Sequence, residues 1–375
     1  MQLPENLRQK LKERENQGIL RRLKVVSGAI DFCSNDYLGL ARSPELRATV
    51  ENSLLKYTGM PWGATGSRLL SGNAPWLEET EIQIADFHAA EAALLFNSGY
   101  AANTGFFSAV PQRGDTILYD EASHASIKDG IRLSFAKAYS FRHNNLEDLQ
   151  AKFKHATGQV YIAVESLYSM DGDFAPLTEL AAICAQKGAY LVVDEAHATG
   201  LFGPNGAGLV QAQRLEDKVF ARIMTFGKAL GCHGAAVVGA KELRNYLINF
   251  SRPFIYTTAL PLHAVLAIAG AYSFLPQLQA QRDQVLHLAT YLRLKMLSLP
   301  TLQLNPFASP INAIRPPSVA VLKNMAAVLQ AHNFDVRPIY SPTVPAGKEQ
   351  LRLIVHAFNS EAQIDKLINL LQTLV

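Results

Sequence analysis

Between residue 44 and about residue 240 the sequence alternates between short apolar runs and longer stretches with helical periodicity. The apolar runs have the length and composition of buried strands. Strands are predicted at residues 92–96, 115–119, 159–165, 189–194, 219–225 and 235–239. Helices are predicted at residues 76–88, 100–110, 146–155 and 177–187. Alternating units of these lengths predict an α/β fold with a mostly parallel sheet that is covered by helices on both faces.

The segments on either side of this region do not show the same regular alternation of strands and helices. The first 20 or so residues predict a charged helix that ends near residues 17–18, and short strands are predicted at 23–26 and 30–33. After about residue 255 the sequence predicts a smaller α+β unit that begins with a long Ala/Leu-rich helical region at 262–299. Its strands are predicted at 301–304, 311–314, 334–338 and 351–355, and its helices at 319–332 and 361–374.

The size and the charge balance of the chain limit its organisation and its partners. The 375 residues are enough for an N-terminal arm or small-domain segment at 1–43, a large domain at 44–255 and a small domain at 256–375. The formal net charge is +3 and no block of basic residues occurs, which argues against a nucleic-acid surface. No apolar run of roughly 18 residues and no secretory signal occur, so we expect a cytoplasmic protein without a membrane span. Its three cysteines form no CxxC pair, so we expect no disulfide framework and no metal site.

Asp194 ends one of the predicted strands, at the edge where open α/β sheets bind their ligands. A carboxylate against an apolar strand is costly unless a cation meets it. A protonated pyridine nitrogen would be such a cation, and its protonation would make the ring an electron sink. His197, three residues later, could hydrogen-bond the same ligand or hold Asp194 in place. A helix cap or a surface turn is the plain alternative for this segment alone.

The sequence Asp-Glu-Ala-His at 194–197 is also the Walker B box of helicases. That alternative requires a phosphate loop of the form GxxxxGK[ST]. Gly-Lys pairs occur at 227–228 and 347–348, but neither is followed by Ser or Thr and neither has the preceding Gly. The helicase alternative is therefore excluded.

Lys228 follows the next predicted strand, three residues after Thr225. Desolvation and a nearby cation lower the pKa of such an amine, which frees it to form an imine. The Thr225 hydroxyl could bind a phosphate. A solvated turn lysine would be favoured if this segment stood alone. A strand that ends in Asp194 comes before it, however, and the two motifs together are far more specific than either one alone.

Two further loops and one turn carry candidate ligand-binding residues. In the sequence NSGYA, Gly99 opens a helix and would let a phosphate approach its free N–H groups, with Tyr100 beside it. His124 follows a predicted strand and could stack flat on a pyridine ring. Ser169 could hydrogen-bond the oxygen of that ring. Each signal is weak alone, because an ordinary turn or loop residue explains it equally well.

Together these motifs resemble those of the α-oxoamine synthases. The resemblance is carried, in order, by residues 32–40 (FCSNDYLGL), 97–103 (NSGYAAN), 123–126 (SHAS), 169–172 (SMDG), 194–197 (DEAH) and 225–228 (TFGK). Members of this family are fold-type I enzymes that use pyridoxal 5'-phosphate to condense an amino acid with an acyl thioester. The resemblance therefore implies this cofactor and a large sheet domain with a smaller C-terminal domain.

The resemblance also implies a role for each matching residue. The implied catalytic residues are Lys228 at the imine, Asp194 at the ring nitrogen, His197 at the ring oxygen and His124 stacked on the ring. The other implied cofactor contacts are Gly99, Tyr100, Ser169 and Thr225, joined by Thr257 and Thr258, which would reach the phosphate in the neighbouring subunit of a homodimer. The implied substrate contacts are Arg21, Asn35, Thr343 and Arg352. The guanidinium of Arg352 suits the carboxylate of an amino acid, and Arg21 is better placed for the acyl partner.

The C-terminal segment favours one activity within the family. Residues 341–347 (SPTVPAG) and 351–353 (LRL) resemble members that condense L-alanine with a pimeloyl thioester, on coenzyme A or acyl carrier protein, in biotin synthesis. Sister activities that use glycine or serine, such as 2-amino-3-ketobutyrate CoA ligase and serine palmitoyltransferase, share the cofactor motifs and are the alternatives. A non-catalytic dimer partner is a third alternative, which the intact Lys228 disfavours.

Overall fold

The computed structural model describes residues 3–25, 27–299, 303–304 and 309–374. In chain order the strands are β1 (Ile30–Asp31), β2 (Ala92–Phe96), β3 (Thr116–Asp120), β4 (Lys137–Phe141), β5 (Val160–Glu165), β6 (Tyr190–Asp194), β7 (Ala221–Thr225), β8 (Ala235–Gly239), β9 (Gln303–Leu304), β10 (Ile311–Arg315), β11 (Phe334–Asp335), β12 (Arg337–Ile339) and β13 (Gln350–Ile354). The α-helices are α1 (Glu5–Asn16), α2 (Pro44–Leu55), α3 (Pro75–Phe87), α4 (Gly99–Ala109), α5 (Ala125–Leu133), α6 (Leu146–Lys152), α7 (Leu177–Lys187), α8 (Leu209–Ala212), α9 (Lys241–Phe250), α10 (Arg252–Ile255), α11 (Leu262–Phe274), α12 (Gln279–Met296), α13 (Val319–Ala331) and α14 (Glu361–Gln372).

A seven-stranded sheet with the order β2-β8-β7-β6-β5-β3-β4 forms the centre of the larger unit. The strands from β4 to β7 are parallel, and β8 runs antiparallel to both of its neighbours, β7 and β2. Every residue of β2, β5 and β7 is buried, as expected for strands with helices on both faces. The prediction of an α/β fold with a mostly parallel sheet is therefore confirmed.

A smaller antiparallel sheet with the order β12-β13-β10-β9 lies in the C-terminal part of the chain. Its apolar core is shared with α12, α13 and α14 through residues such as Leu288, Met325, Leu353 and Leu367. β1 pairs in parallel with β11, so the segment that precedes the large sheet joins the C-terminal unit. α11 packs on α2 and α3. The boundaries proposed at residues 43 and 255 stay predictions.

Most predicted elements of the large unit are present within one or two residues, but β4 and five helices (α2, α5, α8, α9 and α10) were not predicted. The sequence of β4, KAYSF, lies at the edge of the sheet and is largely exposed, so it lacks the continuous apolar run of its neighbours. The strand predicted at 23–26 is wrong over residues 23–25, which form no strand, and residue 26 lies outside the described residues.

Two predicted elements of the C-terminal unit are divided. The helical region at 262–299 is interrupted by the 3₁₀ turn Leu275–Gln277, because Pro276 removes a backbone donor. The strand predicted at 334–338 is split into β11 and β12. Of the strand predicted at 301–304, only β9 falls within the described residues. Within the described ranges, no helix has the length and hydropathy that a bilayer crossing requires.

Candidate active site

The carboxyl ends of β5, β6 and β7 bring three buried polar side chains to one edge of the large sheet. Glu165 lies beside Asp194 in the pairing of β5 with β6. Asp194 in turn pairs with Ile223 of β7, two residues before Thr225. Their exposed fractions are 3%, 5% and 8%. A cavity of about 260 Å³ opens at this edge, where ligands of α/β sheets bind.

Eight of the predicted site residues line this cavity. They are Asn35, Gly99, Tyr100, His124, Asp194, His197, Thr225 and Lys228. Six others do not line it: Arg21, Ser169, Thr257, Thr258, Thr343 and Arg352. Arg352 is nevertheless connected to the cavity, because its Nη2 donates a hydrogen bond to Asn35 Oδ1 at 3.0 Å. Arg21 Nη2 donates to Thr343 Oγ1 at 3.0 Å, so these two predicted substrate residues contact each other.

Two donors fix the carboxylate of Asp194. Its Oδ2 accepts a hydrogen bond from Asn103 Nδ2 at 2.7 Å, and its Oδ1 accepts one from the backbone N–H of Ala196 at 2.9 Å. Asn103 also donates to Ser126 Oγ at 3.1 Å, which connects Asp194 to the loop of His124. Because hydrogen bonds to a charged acceptor are strong, this carboxylate is held in one orientation at the cavity wall.

Lys228 is the amine of the cavity. Its Nζ lies 3.5 Å from Thr225 Oγ1. Burial lowers the pKa of Lys228, the carboxylates of Asp194 and Glu165 oppose this effect, and the guanidinium of Arg352 lowers the pKa further. A lysine with a lowered pKa has a larger fraction of free amine, which is the form that attacks a carbonyl carbon.

The ring of His124 is held at the N-terminus of α5. Its Nδ1 lies 2.8 Å from Ser126 Oγ, and it accepts the backbone N–H of Ser126 at 3.2 Å. The backbone N–H of His124 donates to Glu165 Oε1 at 2.7 Å. Burial lowers the pKa of His124. A fixed, neutral imidazole at the wall of the cavity is suited to lie against a flat ring.

His197 is paired with Tyr37, a residue of the segment that precedes α2. His197 Nδ1 and the Tyr37 hydroxyl lie 2.6 Å apart, and both side chains are buried. Burial lowers the pKa of His197 well below its usual value and raises the pKa of Tyr37. With the phenol donating to Nδ1, the neutral imidazole carries its proton on Nε2 and can donate it to an oxygen of a ligand.

The N-terminus of α4 is shaped to admit an anion. Ser98 caps this helix, because its Oγ accepts the backbone N–H of Ala101 at 3.1 Å. A side chain at Gly99 would place its Cβ 2.4 Å from Thr225 Cγ2, so this position needs glycine. The first N–H groups of a helix and its dipole attract anions. The cavity therefore joins an anion site, an amine and a buried carboxylate, which fits a small ring with a phosphate and a basic nitrogen.

Asn103 and Tyr37 are two of the functional-site residues that the sequence analysis did not identify. Asn103 lies four residues after Gly99 on α4, so one helical turn places both on the same face. That spacing is a signal that could have identified it. Tyr37 and His197 are 160 residues apart in the sequence, and no local sequence pattern predicts their contact.

Glu165 gives a prediction on stability. Burial, and then the charge of Asp194, raise the pKa of Glu165 to about 8, whereas an unfolded glutamate ionises near pH ~4.3. Between these values the folded protein binds the additional proton, so its free energy of unfolding falls as pH rises. We expect Glu165→Gln to remove this part of the slope, because glutamine does not ionise. The glutamine oxygen can still accept the backbone N–H of His124, so the local structure should be kept.

Urea unfolding of the cofactor-free protein between pH 5 and pH 9 measures this effect. Glu242→Gln, at an exposed position of α9, is the matched control and should keep the slope of the unsubstituted protein. Equal slopes for Glu165→Gln and the control would contradict the assignment.

Comparison with known proteins places the chain among enzymes. Residues 27–371 match the family model of class I and II aminotransferases. The chain belongs to this family. One similar curated protein is the 8-amino-7-oxononanoate synthase of Emericella nidulans, which is 43% identical in an alignment that covers 99% of this chain and 95% of that protein.

Two solved structures extend the comparison. The serine palmitoyltransferase from S. paucimobilis, solved with bound PLP and myriocin, has a TM-score of 0.89 at 28% identity, with 99% of this chain and 96% of that chain covered. The 8-amino-7-oxononanoate synthase from Francisella tularensis has a TM-score of 0.81 at 28% identity, with 92% and 97% covered. The predicted membership of the α-oxoamine synthases and the fold-type I architecture are confirmed.

Proposed function

We propose that the protein is a pyridoxal 5'-phosphate-dependent acyltransferase of the 8-amino-7-oxononanoate synthase type. It condenses L-alanine with a pimeloyl thioester of coenzyme A or acyl carrier protein. The products are 8-amino-7-oxononanoate, CO₂ and the free thiol, in a step of biotin synthesis. The observation that carries the proposal is that Lys228 and Asp194 line one cavity in a chain 43% identical to a synthase of this name.

Residues of the cavity suit each part of the proposed cofactor. When bound, pyridoxal phosphate supplies an aldehyde and an electron-withdrawing ring that stabilises negative charge at the α-carbon of the amino acid. Lys228 would hold the aldehyde carbon and Asp194 would meet the ring nitrogen. The face of the ring would lie against His124, its oxygen near His197, and its phosphate near Gly99, Tyr100 and Thr225. The contact of Ser169 with the ring oxygen stays a prediction, because Ser169 does not line the cavity.

Arg352 is proposed to bind the carboxylate of the amino acid. Its guanidinium is largely buried, with Nη2 bonded to Asn35 and Nε without a hydrogen-bond partner in the described part of the chain. A buried guanidinium with an unpaired N–H is suited to a second, carboxylate partner. Nζ of Lys228 would be the base that removes the proton from the α-carbon. Arg21 and Thr343, bonded to each other, are proposed to contact the acyl partner.

We also propose a homodimer. Thr257 and Thr258 do not line the cavity of their own chain; Thr257 Oγ1 and the Thr258 carbonyl instead accept hydrogen bonds from Asn97 Nδ2 at 3.0 and 2.9 Å. Large apolar side chains in the same region are exposed, including Trp62 at 68% and Tyr256 at 72%. Such a patch suits a subunit interface that would bring both threonines to the partner's cofactor phosphate. Sedimentation velocity measures the assembly, and a monomer at micromolar concentration would contradict it.

A serine-dependent condensation is the second candidate function. One observation favours it: the serine palmitoyltransferase from S. paucimobilis superposes with a TM-score of 0.89, against 0.81 for the synthase from Francisella tularensis. The higher identity to the curated synthase from Emericella nidulans favours alanine.

Amino-acid preference tests the proposed function. Alanine, glycine and serine are titrated into cofactor-loaded protein while the visible absorption of the cofactor is recorded, and each is then assayed with pimeloyl-CoA and pimeloyl-acyl carrier protein. We expect alanine to change the spectrum at the lowest concentration and to be the amino acid that releases thiol. A preference for serine or glycine would show that the protein has one of the sister activities instead. Protein without cofactor absorption would contradict the cofactor assignment.

A further inference from the structure

Three charged side chains that do not line the cavity, Asp120, His143 and Asp173, form a cluster that the proposed chemistry does not use. His143 Nδ1 is 2.8 Å from Asp120 Oδ1, and His143 Nε2 is 2.6 Å from Asp173 Oδ2. Asp120 is fully buried and Asp173 is 6% exposed. An imidazole that meets a carboxylate at each nitrogen donates from both, so it is an imidazolium. One cation therefore joins two buried anions.

The charge of His143 is stable over a wide pH range. Burial lowers its pKa, but the hydrogen bonds and charges of Asp120 and Asp173 prevail and raise the pKa of His143 to about 10. The ring of Tyr168 also lies against the His143 ring, in an edge-on arrangement with the ring centroids 4.5 Å apart. Asn144, the next residue, contributes neutral donors to both carboxylates.

The first carboxylate of the cluster fixes the loop that carries His124. Asp120 is the last residue of β3, and His124 lies at the start of α5. Asp120 Oδ1 also accepts the backbone N–H of Ala122 at 2.8 Å, and its Oδ2 accepts the backbone N–H of Asn144 at 2.9 Å. The segment between β3 and α5 is therefore tied to the loop after β4.

The second carboxylate ends the turn at residues 169–173, which begins with Ser169. This turn packs directly on the C-terminal sheet, because a Cβ at Gly172 would lie 2.1 Å from the Ile311 carbonyl oxygen of β10. Gln350 Nε2, at the start of β13, donates to the Met170 carbonyl at 2.8 Å. β13 also carries Arg352, so the turn contacts the strand of the proposed carboxylate-binding residue.

We propose that His143 is a positioning residue for the amino-acid substrate, an inference that rests on the proposed function. Its imidazolium holds the loop of His124 and the turn at 169–173 in a fixed relation. His124 on one side and Arg352 on the other thereby keep their places around the bound substrate. His143 itself does not line the cavity, so it would act through these loops and not by touching the substrate.

Removal of the cation leaves two buried carboxylates in one polar pocket. Like charges at close range repel, and one of the pair must take up a proton or move toward water. In both cases the cationic link between the two loops of the site is lost, and the loops are free to shift relative to each other. Because a displacement of about 1 Å can reduce a rate by roughly 100-fold, the expected effect appears at the substrate and not in the fold.

The test uses His143→Gln, the double variant His143→Gln/Asp173→Asn, and His332→Gln as a control at an exposed histidine. We expect His143→Gln to lower kcat/KM for alanine on the order of 100-fold, with a higher KM and a weaker circular dichroism of the bound cofactor. Removing one carboxylate in the double variant relieves the repulsion, so it should recover roughly tenfold of the loss. A wild-type KM and cofactor dichroism in His143→Gln, or a double variant no better than the single one, would overturn the proposal.

Two further measurements keep the test decisive. If His143→Gln does not fold, Asp173→Asn replaces it, because this variant keeps the His143–Asp120 pair and exchanges only the ionic contact with the turn at 169–173 for a weaker, neutral one. It should raise the KM for alanine at least severalfold, and an unchanged KM would overturn the proposal. If the unsubstituted protein does not turn over alanine, the proposed function fails, whereas the cofactor dichroism of the variants still decides the role of His143.

Discussion

Replacing Lys228 with alanine is expected to abolish turnover and to remove the visible absorption band of the bound cofactor. The amine of Lys228 is the group that would hold the aldehyde and later move the α-carbon proton, so both functions are lost together. No other lysine lines the cavity within the described residues, so no second amine is in place to substitute. The loss of acid–base catalysis alone is worth about 10²–10⁴-fold in rate.

Lys241→Ala is the control for this experiment. Lys241 is an exposed residue at the first position of α9, and its removal should leave absorption and turnover unchanged. The absorption spectrum of each protein is recorded after gel filtration, which removes unbound cofactor. A Lys228→Ala protein that keeps the normal band would show that another group holds the cofactor. Turnover at the unsubstituted rate would exclude Lys228 from the chemistry.

The parts of the fold that the sequence predicted are those with a strong local pattern. β6 and β7 are parallel and largely buried, so each is mostly apolar and ends in a polar residue, although β7 also contains the buried Arg222. β4 lies at the sheet edge, where exposed positions interrupt that pattern. Residues 23–25 have strand-like composition but pair with no strand in the described part of the chain, and composition alone does not create a partner.

In the candidate site, too, the residues with a local sequence pattern could be predicted and those that depend on distant contacts could not. Asp194 and Lys228 could be predicted because Asp194 ends β6 and Lys228 lies three residues after the end of β7, and the carboxyl ends of these parallel strands meet at one edge. The pairs that orient the site join distant parts of the chain: His197 with Tyr37 across 160 residues, and Arg352 with Asn35 across 317. These contacts depend on the packing of the C-terminal unit against the large sheet. A single sequence contains no local signal for contacts between residues so far apart in the chain.

Asp194→Asn is expected to retain the cofactor and to lose most of the turnover. The variant removes the negative charge that meets the ring nitrogen but keeps the size of the side chain. The Oδ1 atom of Asn103 is buried without a hydrogen-bond partner, so its amide can rotate and accept from the new amide at position 194. The fold and the cavity should therefore survive the change. Loss of one electrostatic contact of this kind costs roughly 10²–10³-fold in kcat.

Cofactor stoichiometry and single-turnover rates separate the two effects of Asp194→Asn. Lys228 is intact in this variant, so the absorption band should persist while the rate of α-proton exchange in deuterated buffer falls with kcat. Asp217→Asn, at an exposed aspartate, is the matched control. If Asp194→Asn exchanged the α-proton as fast as the control, the ring nitrogen would not need a carboxylate, and Asp194 would serve only to anchor Asn103 and the N-terminal end of α4. Slow exchange with full cofactor occupancy, in contrast, assigns the charge of Asp194 to the carbanion-forming step itself.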